Sequence, residues 1–307
     1  MTKLFDRVSL IGIGLIGSSL ARAMRKQALA GEIAGYARSE TTRAKALELG
    51  LVDHVCPTAA KAAKDADLVI LCSPVGTYGA LAQEIGPTLN SGAILTDVGS
   101  VKGAVVKDVS PHVPRHAHFI PGHPIAGTEQ SGPESGFAEL FINRWCILTP
   151  VPDADPDAVE KLAAFWRACG SNVETMTPEH HDLVLAITSH LPHLIAYNIV
   201  STAADLEEVT SSEVIKYSAG GFRDFTRIAA SDPTMWRDVF LNNKDAVLEM
   251  LGRFSEDLSA LQRAIRWGDG DMLFDVFTRS RQVRRSIIAA GQDTASPDFG
   301  RGAPKTP

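Results

Sequence analysis

The sequence predicts an α/β domain with a parallel sheet at residues 1–177, followed by an all-α domain at residues 178–293. Short apolar runs alternate with helical segments through the first part, which is typical of a parallel sheet covered by helices. From Pro178 onward these strand-like runs vanish, and long amphipathic helices take over. Residues 294–307 are mostly Pro, Gly and polar residues, so we expect a disordered tail.

The composition disfavours several classes of protein. Hydrophobic residues make up 45% of the 307 residues and charged residues 21%, which fits a globular protein with a sizeable core. A formal net charge of -6 disfavours nucleic acid or an anionic membrane as a partner. The four cysteines form no C-x-x-C pair and are expected to be buried thiols of a reducing compartment; they are Cys56, Cys72, Cys146 and Cys169.

The N-terminus and the hydropathy pattern predict a soluble, cytoplasmic protein. The chain enters a strand within a few residues of its start, which leaves no room for a signal peptide. No apolar run is expected to approach the ~18 residues of a membrane span. We therefore expect no membrane partner.

A short apolar strand near the N-terminus leads straight into a glycine-rich turn and a helix. In the pattern G-x-G-x-x-G, Gly12 allows the tight turn, Gly14 lets a pyrophosphate approach the backbone, and Gly17 lets helix and strand pack closely. The helix N-terminus, at Leu15 and Ile16, offers free N–H groups to the phosphates. This stretch predicts a Rossmann-like dinucleotide-binding domain.

The end of the second strand bears on the choice between NAD and NADP. About 20 residues past the glycines the fingerprint expects an acidic residue, but the chain has Ala37, followed by Arg38 and Ser39. Without a carboxylate for the ribose hydroxyls, Arg38 and Ser39 favour the 2′-phosphate of NADP. The alternative is that Arg38 stacks on the adenine or points to solvent, and NAD remains open.

Two further buried strands end beside the expected cofactor crevice. One ends at Ser73 and Pro74, and the next ends at Asp97 and continues to Ser100 and Lys102. Ligands of open α/β sheets bind outside the carboxyl ends of parallel strands. We therefore expect these residues to line the cofactor and substrate sites.

Three later elements are predicted to complete the same sheet: strand 145–149, a helix that is capped by Asp155 and ends near Cys169, and strand 173–176. A proline in the first turn of the helix is a typical helix start. The strand pattern places the end of the first domain at about Thr177.

The stretch 121–132 carries the best candidate for a catalytic base. It is rich in Gly and Pro, too broken for a helix and too irregular for a strand, and it holds His123 between a Gly and a Pro. A rigid loop with one imidazole can hold a proton acceptor against a substrate, and we expect it to face the turn after Asp97. The alternative is a surface loop with an incidental histidine.

The second domain is predicted to consist of helices at about 179–204, 208–216, 234–265 and 269–290. Many Leu, Phe, Val and Ile residues lie on the helices after residue 234. They favour a homodimer, although an ordinary core produces the same pattern.

The first of these helices contains four histidines, which are His180, His181, His190 and His193. The last two share a helical face, and Pro192 between them predicts a kink. On the residues alone, hydrogen-bonded structural histidines are the favoured interpretation. A zinc site is disfavoured because the helix has no H-E-x-x-H motif.

A second polar stretch, 220–228, follows two glycines that are expected to break a helix. Arg227 is suited to bidentate capture of a carboxylate, and Asp224 could orient it. The alternative is a local ion pair beside a helix start.

Five motifs, in family order, resemble the prephenate/arogenate dehydrogenase family of tyrosine biosynthesis. They span about residues 7–240, and the His-Pro-Ile-Ala-Gly and Ser-His-Leu-Pro-His segments are far more specific than the glycine motif. The motifs are the glycine turn at 12–17 and the segments 97–103, 122–129, 189–193 and 221–228.

The resemblance implies roles in catalysis and in substrate binding. His123 matches the catalytic His of the family, and Ser100 matches the Ser that is hydrogen-bonded to it. Arg227 matches the Arg that binds a substrate carboxylate, with the neighbouring acid at Asp224.

The resemblance also implies three further contacts and a homodimer with interlocked helical domains. His193 matches a second active-site His, and Glu129 matches a loop Glu. Trp236 matches a Trp that reaches the active site of the partner. The clearest departure is Ala37, where NAD-specific members carry Asp.

The reaction implied by the resemblance is oxidative decarboxylation of prephenate or arogenate with NAD(P), which gives 4-hydroxyphenylpyruvate or tyrosine. The residues leave two alternatives. A reductase of the β-hydroxyacid dehydrogenase or pyrroline carboxylate reductase kind has a similar layout, but the β-hydroxyacid type usually relies on a helical-domain Lys, and no such motif surrounds Lys216 or Lys244. A non-catalytic NAD(P)-sensing dimer would not need the catalytic and carboxylate-binding residues together.

Overall fold

The computed structural model describes residues 3–207, 216–218 and 220–289. Its α/β first part and helical second part confirm the predicted fold class. The predicted helix at 208–216, apart from its last residue, and the predicted disordered tail at 294–307 lie outside the described residues.

The chain forms two compact units. The first unit comprises the chain up to Asn198 together with Ile228–Val247, and the second comprises Ile199–Arg227 and the chain from Leu248 onward. Part of the helical region thus packs with the α/β part, because buried polar side chains of that region are hydrogen-bonded there. The end of the first domain at about Thr177 stays a prediction.

Six parallel strands form the main sheet of the first unit. They are β1 (Phe5–Ile11), β2 (Ala30–Tyr36), β3 (His54–Val55), β4 (Leu68–Leu71), β5 (Ile94–Asp97) and β6 (His118–Phe119). The order across the sheet is β3-β2-β1-β4-β5-β6. The strand order reverses between β1 and β4, so the carboxyl ends of these two strands form the crevice where such sheets bind ligands.

Helices cover both faces of this sheet. All four side chains of β4 are buried, with Leu68 and Ile70 in one core cluster and Val69 and Leu71 in the other. Burial on both faces explains why β4 is a continuous apolar run in the sequence. The α-helices of the α/β part are Leu15–Gln27, Glu40–Glu48, Ala59–Ala63, Tyr78–Ile85, Gly103–Val109 and Pro156–Ala168.

A separate three-stranded sheet corrects two predictions. Its strands, in order, are β7 (Gly122–Pro124), β8 (Trp145–Leu148) and β9 (Asn172–Thr175). The last two were expected to complete the main sheet, and the His123 stretch was expected to be irregular. Instead β8 runs antiparallel to β7 and parallel to β9. Short apolar runs predict strands but do not specify which strands pair.

The helical part of the chain agrees with most predicted helices. A π-helical turn, Ala186–His190, ends two residues before Pro192; proline has no N–H for the helical ladder. The kink at Pro192 stays a prediction. The helices on either side of this turn and beyond are Pro178–Leu185, Leu191–Glu207, Gly220–Thr226, Pro233–Asn242, Lys244–Trp267 and Gly270–Ala289.

Two details of the predicted helices are wrong. The expected helix 234–265 is two helices, because Asn243 leaves helical geometry and its side chain donates to the Asp182 carbonyl at 2.8 Å. Gly220 and Gly221 begin a helix instead of breaking one.

The helical run Pro178–Leu206 is more hydrophobic than we expected, and the expectation that no run approaches the length of a membrane span is wrong for it. With a mean hydropathy of 1.5 over its most apolar window, it is long and apolar enough to cross a membrane by composition alone. However, it carries His181, Asp182 and His190, which are buried and hydrogen-bonded within the first unit. Such polar anchoring is typical of a core helix, and one apolar helix is weak evidence for a span.

Candidate active site

His123 lies on β7, close to the carboxyl end of β5. Its backbone pairs with Ile147 of β8, and its side chain is only 7% exposed. Its Nδ1 atom lies 2.8 Å from Nε2 of His181, with the two ring planes at 63°. Strand pairing and this contact fix the imidazole, as expected for a proton acceptor that must be held in place.

His181 and Asp182 were not predicted as site residues. His181 Nδ1 lies 2.8 Å from Oδ1 of Asp182. The Asp182 carboxylate also accepts hydrogen bonds from the backbone N–H groups of Lys102 at 2.7 Å and Gly103 at 2.8 Å. The helix thereby connects the turn after β5 to His123.

The sequence contains a signal that could have found these two residues. His181, Asp182, Leu185 and Ala186 are all buried, which is the i, i+1, i+4, i+5 pattern of one helical face. An imidazole and a carboxylate on the apolar face of a helix must find partners in the core. Applied to this helix, that rule predicts a buried polar network.

Asp97 and Lys102 form a fully buried ion pair. The Asp97 carboxylate also accepts from the N–H groups of Gly99 at 2.7 Å and Gly122 at 3.2 Å, and Lys102 Nζ donates to the Gly122 carbonyl at 2.8 Å. These contacts join the end of β5 to the residue before His123. Asp97 was predicted to contact the cofactor, but burial and these partners assign it to holding the turn.

Burial keeps the histidines of this network neutral. It lowers the pKa of His123 well below the ordinary value, and the positive charge of Lys102 acts in the same direction. Burial also lowers the pKa of His181, although the hydrogen bond to Asp182 opposes the shift. A neutral imidazole is the form that can accept a proton.

Asn243 and His190 extend the network behind His181. Asn243 donates to the Asp182 carbonyl at 2.8 Å and to Nδ1 of His190 at 3.1 Å. Burial lowers the pKa of His190 to about 4. Nδ1 of His190 is thus hydrogen-bonded within the core, while its buried Nε2 has no hydrogen-bond partner among the described residues. The structural role that the residues alone favoured stays a prediction.

His193 and Trp236 stack on each other. Their ring centroids are 3.6 Å apart with an interplanar angle of 22°, and Nδ1 of His193 donates to the Ser189 carbonyl at 2.8 Å. Trp236 was expected to reach the active site of a partner. In this structure it is 6% exposed and packs inside its own chain, against His193 and Phe240.

The roles of Ser100 as a partner of His123 and of Glu129 in substrate binding stay predictions. Ser100 is half-buried in the turn after β5, but the Nδ1 partner of His123 among the described residues is His181. Glu129 is exposed in the segment that follows β7.

The glycine turn has the shape that a bound dinucleotide requires. Gly12 has a φ of 107°, and a Cβ there would lie 2.6 Å from the backbone of Cys72 and Ser73. A Cβ on Gly17 would overlap the Gly12 carbonyl, so helix and strand could not approach. A Cβ on Gly14 would meet nothing within 4 Å. This open backbone at the helix start leaves room for a phosphate.

The other predicted cofactor residues surround the same crevice. Leu15 and Ile16 open the helix after the turn. Ser73 and Pro74 follow β4, on the other side of the switch point, where Ser73 Oγ lies 2.8 Å from Thr77 Oγ1.

The loop after β2 holds the residues that were predicted to choose between NAD and NADP. Ser39 caps the following helix by accepting from Thr42 N–H, and Arg38 is exposed. Arg43, which was not predicted, donates to the Ala37 carbonyl at 2.6 Å and to the Arg38 carbonyl at 3.1 Å. Arg43 thus holds this loop in place beside the adenosine end of the expected site.

Arg227 and Asp224 belong to the second unit. Asp224 lies in the helix Gly220–Thr226, and Arg227 begins the 3₁₀ turn that follows. Their roles in substrate binding stay predictions.

A parallel doubly wound sheet, a phosphate-compatible glycine turn and a neutral buried histidine near the strand ends define a dinucleotide-dependent dehydrogenase. The chain belongs to the prephenate dehydrogenase family. The nucleotide-binding domain of that family matches residues 20–175, and its dimerization domain matches residues 177–279. The resemblance that the five motifs carry is thereby confirmed.

Individual relatives agree with this membership. The chain is 42% identical over 283 residues to the cyclohexadienyl dehydrogenase of Zymomonas mobilis, which covers 92% of this chain and 96% of the relative. It is 34% identical to the prephenate dehydrogenase of Bacillus subtilis, with 94% of this chain and 77% of that relative covered. A crystal structure of Aquifex aeolicus prephenate dehydrogenase with hydroxyphenyl propionate and NAD+ has a TM-score of 0.86 at 36% identity, and covers 92% of this chain and 98% of that chain.

Proposed function

We propose that this dehydrogenase catalyses the oxidative decarboxylation of prephenate, arogenate or both, in tyrosine biosynthesis. The observation that carries the proposal is His123, a buried neutral imidazole held near the end of β5 in a chain of this family. Both substrates present a ring hydroxyl, a ring carboxylate and an acidic side chain. The chemistry needs one proton acceptor at the hydroxyl and no metal.

In this mechanism His123 Nε2 accepts the proton of the substrate hydroxyl. As the O–H bond breaks, the carbon that bears the oxygen becomes a carbonyl carbon and releases hydride. Nicotinamide, when bound, supplies the hydride acceptor. The C–C bond to the ring carboxylate then breaks and carbon dioxide leaves. The bonding electrons pass through the ring to the carbonyl oxygen, so the ring becomes aromatic and this oxygen takes back the proton held by His123. Arg227 would hold a substrate carboxylate during these steps.

The cofactor preference that we propose is NADP. Ala37 supplies no carboxylate for the ribose hydroxyls, while Arg38 and the helix start at Ser39 offer a positive charge and a hydroxyl at that position. Arg43 adds a second positive charge next to the loop.

We also propose that the enzyme is a homodimer. The helices Lys244–Trp267 and Gly270–Ala289 expose several large apolar side chains, among them Ile265, Trp267 and Phe274, each of which is at least 68% exposed. An apolar surface of this kind on a helical domain is typical of an interface. The family model that matches this region is described as a dimerization domain.

A matrix of initial rates tests the proposed function. Prephenate and arogenate are each assayed with NAD and with NADP, and the formation of reduced nicotinamide is followed. We expect activity with at least one substrate and a faster rate with NADP. Four inactive combinations with the cofactor still bound would overturn the proposed reaction, whereas a preference for NAD would overturn only the role of Arg38 and Ser39.

The pH dependence of kcat/KM is expected to reflect the lowered pKa of His123. The base works when it is neutral, so activity falls as the pH drops through its pKa. Because burial lowers that pKa, the acid limb should lie below about pH 6.5, the ordinary value for imidazole. The measurement is a profile of kcat/KM from about pH 4.5 to 9. An acid limb centred at or above the ordinary value contradicts this prediction.

Replacing Arg227 with Ala is expected to raise KM about 10- to 100-fold, since a hydrogen bond to a charged group contributes about 1.5–3 kcal/mol. The carboxylate that it would bind is charged in both ground and transition states, so kcat should change less than KM. Arg223→Ala, an exposed arginine one helical turn earlier, is the matched control. A collapse of kcat at unchanged KM argues against the role in binding.

A further inference from the structure

Two buried side chains join His123 to the turn after β5. His181 is fully buried and Asp182 is 8% exposed. The distance from His123 Nδ1 to His181 Nε2 is 2.8 Å, and the distance from His181 Nδ1 to Asp182 Oδ1 is also 2.8 Å. The three groups form a continuous chain of hydrogen bonds that ends at the predicted base.

The direction of each hydrogen bond follows from the carboxylate end. Both carboxylate oxygens of Asp182 already accept from backbone N–H groups, those of Lys102 and Gly103, so Asp182 is the acceptor in the contact with His181 as well. His181 must therefore carry its proton on Nδ1, which leaves a lone pair on Nε2. That lone pair accepts from His123, so His123 carries its own proton on Nδ1.

We propose that His181 and Asp182 are positioning residues that hold His123 in the Nδ1–H tautomer, with the lone pair of Nε2 available to the substrate hydroxyl. The inference deepens the proposed function and rests on His123 as the base. A free imidazole favours the opposite tautomer, with hydrogen on Nε2, and that tautomer cannot accept the substrate proton. The hydrogen bond that one ring nitrogen of a histidine makes determines whether the other ring nitrogen carries the proton.

The same chain stabilises His123 after proton transfer. When Nε2 has taken the substrate proton, Nδ1–H of the imidazolium still donates to the neutral His181, which is in turn polarised by Asp182. The other charged or titratable groups that face this pair are Lys102 with its partner Asp97, and His190. Lys102 disfavours a second positive charge, so the two imidazoles share at most one added proton.

The tautomer of His123 in the wild-type protein is the first test. Two-dimensional ¹H–¹⁵N spectra of the enzyme with ¹⁵N-labelled histidine distinguish the two neutral tautomers, and His123→Asn identifies the His123 signals. We expect the Nδ1–H form for His123 and also for His181. An Nε2–H form of His123 overturns the inference without the need for any variant at position 181.

Kinetics of two His181 variants form the second test. His181→Phe keeps an aromatic ring but removes the acceptor, and we expect kcat to fall about 10- to 100-fold, by analogy with the loss measured when the partner that orients a metal-bound imidazole is removed. His181→Gln places an amide oxygen near the former Nε2 and should recover most of that loss. KM and the cofactor Kd should change little. Equal kcat values in the two variants overturn the inference.

His180 provides the matched control. It is the neighbouring residue on the same helix and is exposed, so His180→Phe should leave kcat and the His123 tautomer unchanged. Thermal melting and cofactor binding show whether each variant folds. If His123→Asn is inactive while folded His181→Phe is fully active, only the positioning role fails. If His123→Asn is fully active, the proposed base fails and the positioning role fails with it.

Discussion

Replacing His123 with Asn is expected to lower kcat about 10²- to 10⁴-fold, the usual contribution of a general base. The asparagine amide cannot accept a proton near neutral pH. Because His123 is only 7% exposed, bulk water has little access to the position from which the imidazole acts. The loss should therefore appear in kcat and not only in KM.

The measurement compares kcat, KM and the cofactor Kd of His123→Asn with those of the wild type. The glycine turn that would hold the cofactor lies after β1, whereas His123 lies on β7, so cofactor binding should survive. The exposed His180→Asn serves as the control for loss of a histidine. Turnover that equals the wild-type value would remove His123 from the mechanism.

Four of the six strands of the main sheet, β1, β2, β4 and β5, could be predicted because each carries a local signal, whereas the two-residue strands β3 and β6 were not predicted. β4 is buried on both faces, so its sequence is a continuous apolar run that needs no knowledge of its neighbours. Helix starts were equally local, since Asp155 and Ser39 cap the helices that follow them. The second sheet was missed because pairing of β7 with β8 depends on residues distant in sequence.

In the candidate active site, too, the features with a local sequence pattern could be predicted, and the contacts between residues distant in sequence could not. His123 and the glycine turn stand in local patterns whose chemistry is evident from residue type and spacing. The partners of His123 are not local, since His181 is 58 positions away, and no pattern near His123 indicates it. Asp97 was assigned to the cofactor because a strand end suggests exposure, but Lys102 folds back over it and buries both charges.

Replacing Lys102 with Met is expected to destabilise the fold by about 3–5 kcal/mol, the usual cost of removing one partner of a buried ion pair. The methionine keeps much of the side-chain volume but leaves the Asp97 carboxylate buried, with Gly99 and Gly122 as its backbone donors among the described residues. The contact between Lys102 and the Gly122 carbonyl is lost as well. Thermal or urea unfolding of the variant and the wild type measures the difference. Lys107→Met, at an exposed lysine one turn further on, should change stability by no more than about 0.5 kcal/mol.

The destabilisation of Lys102→Met should itself depend on pH. In the wild type, burial raises the pKa of Asp97, while the charge and hydrogen bond of Lys102 oppose that shift. Without Lys102 the folded-state pKa of Asp97 rises further above its unfolded value of about 3.9. The folded variant then binds more protons than the unfolded chain between these two values, so its stability increases as the pH falls through that window. The stability deficit relative to the wild type should therefore be largest near neutral pH and shrink toward acid pH.

Adding Asp97→Asn to Lys102→Met removes the buried charge, and it should recover part of the stability and abolish this pH dependence. A deficit that stays constant across the window would mean that lost packing, and not the unpaired carboxylate, destabilises the variant.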